Sequence, residues 1–100
     1  MALTNTNVKK FKRAFDEDAW IFYVDKEGRL LKRQLTNEIF EEWANPKNEP
    51  VELRILSVLQ TGDAACVNLA CGTDYFDFHN MARVDGVWKI TNKTASHKNR

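Results

Sequence analysis

The sequence predicts an α+β domain in which two short helices pack on an antiparallel sheet of about six strands. Three observations predict it. Apolar residues recur at spacings of three and four in two early segments, the period of a helix with one buried stripe. From residue 51 onward, apolar and β-branched runs alternate with turns instead. The last of those turns, Asp85-Gly86, is a strong signal for a two-residue hairpin loop. Helices followed by hairpins in series place the helices on one face of the sheet.

Each element can be argued in order. Val8, Phe11, Ala14 and Phe15 give residues 6–16 an apolar helical stripe, with Thr6 or Asn7 as cap. Residues 19–25 are aromatic and β-branched and read as a strand. The Gly28 turn sends the chain back along Arg29–Leu35. Thr36 opens a second helix, with Leu35 and Phe40 spaced as a hydrophobic staple and Ile39, Phe40, Trp43 and Ala44 as its buried stripe. Pro46 and Pro50 end it. Residues 51–60 form a third strand whose imperfect alternation implies a bulge near Ser57. Residues 64–71, 74–84 and 87–95 complete the sheet, and the tail from Ser96 is expected to fray.

Composition narrows the function classes. One hundred residues make one domain, 1–100, with hydrophobic residues at 43% and charged residues at 29%. Net charge is +1, which argues against a nucleic-acid partner. No apolar run reaches the roughly 20 residues of a membrane span, and the N-terminus does not read as a secretory signal. Cys66 and Cys71 lie an odd number of residues apart, on opposite strand faces, so they read as two free thiols suited to a reducing cytoplasm. Two cysteines without paired histidines make no zinc site. No cofactor motif is present: there is no nucleotide loop and no nucleophile–base signature.

The stretch DFHNMARVDGVWKITNK carries a recognisable pattern. Asp77, Phe78, Asp85, Gly86, Trp88, Lys89, Ile90, Asn92 and Lys93 resemble the closing hairpin of the putative lumazine-binding branch of the nuclear transport factor two-like superfamily. Lys12-Arg13-Ala14-Phe15, followed by Asp18-Ala19, and the segment SVLQTGDAACV are similar to earlier parts of the same pattern. The resemblance implies a cone: a strongly curved sheet wrapping its helices around an internal cavity, often in homodimers through the outer sheet face. The superfamily includes isomerases, dehydratases and polyketide cyclases beside non-catalytic modules, so the fold assigns no function. It also implies a longer first helix than the few residues before Val8 supply, so the cone mouth is either open or covered by another chain.

The Asp85-Gly86 turn sets a register for the last hairpin. Counting from it, Arg83 faces Trp88, Met81 faces Ile90, His79 faces Asn92, Asp77 faces Thr94 and Tyr75 faces Ser96. Pattern alone leaves the inward face open. Trp88, Ile90 and Met81 favour this one, and the resemblance places the same Trp and Ile toward the cone. That face turns polar along its length, as a ligand pocket does. Asp77 and His79, with Cα atoms roughly 6.5–7 Å apart on one strand, are candidates to contact a small apolar or aromatic ligand or to transfer a proton. The alternative is a packing histidine and a structural acceptor. Asn92, Tyr75, Tyr23 and Trp20 complete the candidate set, with Tyr23 and Trp20 on opposite faces of the first strand and core filling the alternative role for either. Three functions compete: a small-molecule-binding module, a homo-oligomeric interaction module, and an acid–base enzyme using Asp77 and His79.

Overall fold

The computed structural model describes residues 12–43 and 52–99. Its strands are β1 (Phe15–Val24), β2 (Leu30–Gln34), β3 (Leu53–Thr61), β4 (Ala64–Cys71), β5 (Tyr75–Val84) and β6 (Val87–His97), with helix α1 (Asn37–Trp43) between β2 and β3. Residues 12–14 are helical and lead straight into β1. The six strands form one curved sheet in the order β2-β1-β6-β5-β4-β3.

The class and the strand count match the expectation, but the sheet is mixed. Every neighbouring pair is antiparallel except β1 and β6, which run parallel. Local patterning cannot reveal this, because the two strands are joined only through the rest of the chain. The first expected helix also stops early. Phe15 and Asp16 belong to β1, where Phe15 pairs with Ile90. The Phe15 ring is buried against Phe40 at 6.2 Å. Residues 6–11 lie outside the described residues, as do Ala44, Pro46 and Pro50.

α1 begins as its sequence requires. Thr36 caps it, its Oγ1 accepting from the Ile39 N–H at 3.4 Å. Leu35 and Phe40 on either side of the cap are both buried. The helix lays Ile39 and Phe40 onto Phe15, Ala19, Ile21 and Ile90, with Met81 packed alongside. This cluster defines the inner face of the sheet.

The parallel β1–β6 ladder breaks register between Phe15 and Trp20, and two bulges re-aim the antiparallel ladders. In β3 the register shifts between Ile55 and Ser57, where the broken alternation placed a bulge. The second was not foreseen. Val84↔Val87, Arg83↔Trp88 and Met81↔Ile90 pair as counted from the turn, whose Asp85 and Gly86 both have positive φ (51° and 78°) as a type I′ loop demands. Asn80 then pairs with Asn92, so Thr91 is an extra residue on β6. Thr91 Oγ1 donates to the Asn80 carbonyl at 3.1 Å across the bulge. Beyond it the partners are His79↔Lys93, Asp77↔Ala95 and Tyr75↔His97, replacing the expected Asn92, Thr94 and Ser96. Lys93 and Ala95 therefore face inward, while Asn92 and Thr94 face outward. β6 also continues through His97, tied by Lys98 N–H to the Asp74 carbonyl at 2.7 Å, so Ser96 and His97 do not fray. Among the described residues no helix is long and apolar enough to cross a membrane.

Candidate functional site

The inner face holds a half-open cavity of about 360 Å³ between α1 and the sheet end remote from the Asp85-Gly86 turn. Ile21 and Tyr23 of β1, Arg33 of β2, Ile39 and Glu42 of α1, and Ala95 of β6 form one side. Cys71 of β4, Tyr75 and Asp77 of β5, and Lys93 of β6 form the other. Strand pairing explains the grouping. Ile21 pairs with Lys93 and Tyr23 with Ala95. Asp77 pairs with Ala95 and Tyr75 with Cys71, so all seven side chains rise from the same face.

Among the described residues Asp77 is the most buried polar one, at 2% exposure. An ionised carboxylate there needs partners, because desolvation otherwise favours its neutral form. Lys93 Nζ donates to Oδ2 at 3.2 Å. His79 Nε2 stands 3.5 Å from the same oxygen, a contact too poorly aligned to count as a full hydrogen bond. Burial pushes the Asp77 carboxyl up, but the imidazole and the ammonium together outweigh it and hold the group below its ordinary value. The second oxygen, Oδ1, is buried with no hydrogen-bond partner among the described residues, and so is His79 Nε2. An unmatched buried acceptor costs about 1–3 kcal/mol, and more when it is charged.

The other polar groups are settled. At the mouth, Arg33 Nη2 meets Glu42 Oε2 at 3.1 Å, clipping β2 to α1. Both side chains are exposed, so the pair is worth only about 0–1 kcal/mol. Burial, then the nearby Asp77 carboxylate, push the Cys71 thiol up, so it is a protonated wall residue rather than a nucleophile. Burial, then Tyr23, likewise raise the Tyr75 phenol, which remains a donor at neutral pH. Tyr75 packs edge-on against His97 at 5.1 Å.

Of the residues singled out from sequence, Asp77, Tyr75 and Tyr23 line the cavity, and His79 lies on the same face behind Asp77. Asn92 and Trp20 are brought elsewhere. Asn92 is on the outer face, where its Oδ1 accepts from Asn80 Nδ2 at 2.8 Å. Trp20, its partner across the β1–β6 pair, stacks on Phe22 at 6.3 Å on that same outer face. Lys93, Arg33, Glu42 and Cys71 were missed. The Thr91 bulge hid Lys93, and the Arg33–Glu42 pair depends on how α1 lies across β2. Cys71 alone was findable, since its odd spacing from Cys66 put one of the two inward.

A family model described as "putative lumazine-binding" matches residues 1–96. Comparison with curated proteins finds no match. Among solved structures, an NTF2-like protein from Silicibacter pomeroyi DSS-3 is similar at 23% identity and TM-score 0.76, over 98% of this chain and 85% of that one. Another from Shewanella baltica OS155 is similar at 24% identity and TM-score 0.69, over 86% of this chain and 73% of that one. The association domain of C. elegans CaMKII is similar at 19% identity and TM-score 0.60, over 88% and 78%. Identities this low speak for the fold alone.

Proposed function

Because this chain belongs to the putative lumazine-binding family, we propose that it is a small-molecule-binding domain that seats its ligand in the cavity between α1 and the inner face of the sheet. One observation carries the reading. Asp77 is an ionised, buried carboxylate on the wall of an otherwise largely apolar cavity, with one oxygen unmatched. A cavity with apolar walls and a few convergent polar groups is the usual form of a ligand site. The volume lies at the small end of the roughly 300–1,000 Å³ typical of such pockets, which suits a compact apolar or aromatic molecule. Native mass spectrometry of protein taken directly from cells tests this. A discrete mass retained beyond the polypeptide is the expected result. Absence of any retained mass, together with no rise in melting temperature across a broad metabolite set, would remove the reading.

A second reading is a homodimer through the outer sheet face, and the two are compatible. It is favoured by the exposed Trp20, Phe76, Phe78, Val84 and Val87 on that face. The similarity to an association domain is compatible with it. The acid–base enzyme ranks below both, because His79 does not line the cavity and Asp77 is already paired with Lys93. A cytoplasmic setting is supported by the two free cysteines.

A further inference from the structure

Two phenols give this cavity a polarity that its charged groups do not. Tyr23 and Tyr75 line it from β1 and β5, on either side of β6. Tyr23 pairs with Ala95, Ala95 pairs with Asp77, and Tyr75 is two residues from Asp77, so both rings stand on the inner face. Both side chains are half-buried. Neither phenol oxygen makes a hydrogen bond among the described residues, and neither is sealed from the surface as Asp77 Oδ1 is. His97 braces the Tyr75 ring edge-on at 5.1 Å, so packing holds it in place. The two phenols also sense each other: after burial, Tyr23 is the largest influence raising Tyr75. The Tyr75 hydroxyl therefore keeps its hydrogen at neutral pH. An aryl hydroxyl, its lone pair drawn into the ring, donates more strongly than it accepts.

The charged groups leave no surplus for an ion. Lys93 meets Asp77 at 3.2 Å and Arg33 meets Glu42 at 3.1 Å. An anion would have to draw a cation off its carboxylate. Beside Tyr75 it would also meet the field of Asp74, Asp25 and Asp77, which helps to raise that phenol. A cation would find both lining carboxylates taken, and Asp74 is exposed outside the lining. Ile21, Ile39 and Ala95 supply apolar wall. A carbonyl oxygen has two lone pairs and can take a hydrogen from each phenol. Resting on the ligand-binding reading above, we propose that this cavity selects a neutral ring compound bearing a carbonyl, whose oxygen accepts from the Tyr23 and Tyr75 hydroxyls.

Matched probes of one ring skeleton test this on the full chain. Indanone carries the carbonyl, indane lacks it, and indole offers a donor in its place. Indanecarboxylate and aminoindane carry the two charges. Affinity is read by ligand-observed NMR titration, and position by alkylation of Cys71 on the cavity wall against Cys66 on the outer face. The expected result is that indanone binds at least about tenfold more tightly than indane and slows alkylation of Cys71 relative to Cys66. Tyr23→Phe and Tyr75→Phe keep the rings and remove only the hydroxyls. Each should reduce the indanone-to-indane ratio, and the double substitution should bring it to about unity while indane binding holds. Equal binding of indanone and indane, preference for indole or a charged probe, or a ratio that survives the double substitution overturns the inference. No binding by any probe overturns it too. The reading it rests on is decided separately, by the mass retained in native mass spectrometry.

Discussion

Asp77 sits where pattern would accept an apolar residue, and its surroundings explain why it is tolerated. Its folded-state pKa lies below the unfolded value of about 3.9. A depressed carboxylate contributes stability that is present in full above the unfolded pKa and is lost as pH falls through the folded one. The melting temperature should therefore hold near neutrality and drop on acidification below about pH 4. Thermal melts of Asp77→Asn should show a shallower acid limb than wild type, and identical limbs would mean that other carboxylates govern it. Lys93 shares with His79 the role of keeping the group ionised. Lys93→Met strips the cation and leaves the carboxylate buried, which is expected to cost up to about 3–5 kcal/mol in urea unfolding. A loss under about 1 kcal/mol would place the compensation on His79 instead.

At the scale of the element, β6 decides the site. Its alternation reads as regular from Trp88 to Ala95, and a regular strand would have sent Asn92 and Thr94 inward. The extra residue Thr91 reverses every side chain beyond it and delivers Lys93 to Asp77. This gives an unusual expectation for a deletion inside a strand. Removing Thr91 restores an unbroken ladder in which Ile90 still faces Met81 and Asn92 still faces Asn80. The variant should fold and keep Lys93 inside, at a cost of about 1–3 kcal/mol from lost curvature and the lost Thr91–Asn80 bond. NOE contacts between Asn80 and Asn92 check it. Their disappearance, with Lys93 newly accessible to acylation, would mean that the bulge is not at Thr91.

At the scale of the whole molecule, the described residues gather their core on one side of a broad sheet. The cluster of Phe15, Ile21, Leu35, Ile39, Phe40 and Ile90 lies under α1. By contrast β3, an edge strand, exposes Leu53, Ile55, Leu56, Val58 and Leu59. Apolar area left outside so small a core favours association, which supplies burial that the single chain lacks. Phe78, 50% exposed on the outer face between Asn68 and Thr94, is central to the surface proposed for a homodimer. Phe78→Glu should shift the mass measured by light scattering from dimer to monomer while the circular dichroism spectrum is unchanged. A dimer that survives this substitution would move the interface away from the outer face.

What the sequence determines by itself is everything that depends on neighbours along the chain. Thr36 with Leu35 and Phe40 marks the start of α1, Asp85-Gly86 marks the last hairpin, and the broken alternation of β3 marks its bulge. Each is a local choice of backbone that a few residues dictate. The placement of Asp77 and Tyr75 was legible for the same reason, since the turn counts out their face along β5. Tertiary structure decided the rest. Whether β1 lies parallel to β6, whether Thr91 is squeezed out of register, and whether Arg33 reaches Glu42 depend on surfaces meeting that are distant in sequence. Thr91 shows the physical cause most plainly: its bulge lets β6 satisfy β5 on one edge and β1 on the other, with Phe15 and Ile90 buried and Asp77 matched by a lysine. No periodicity within β6 carries that requirement, because it arises only once all three strands and α1 are packed together.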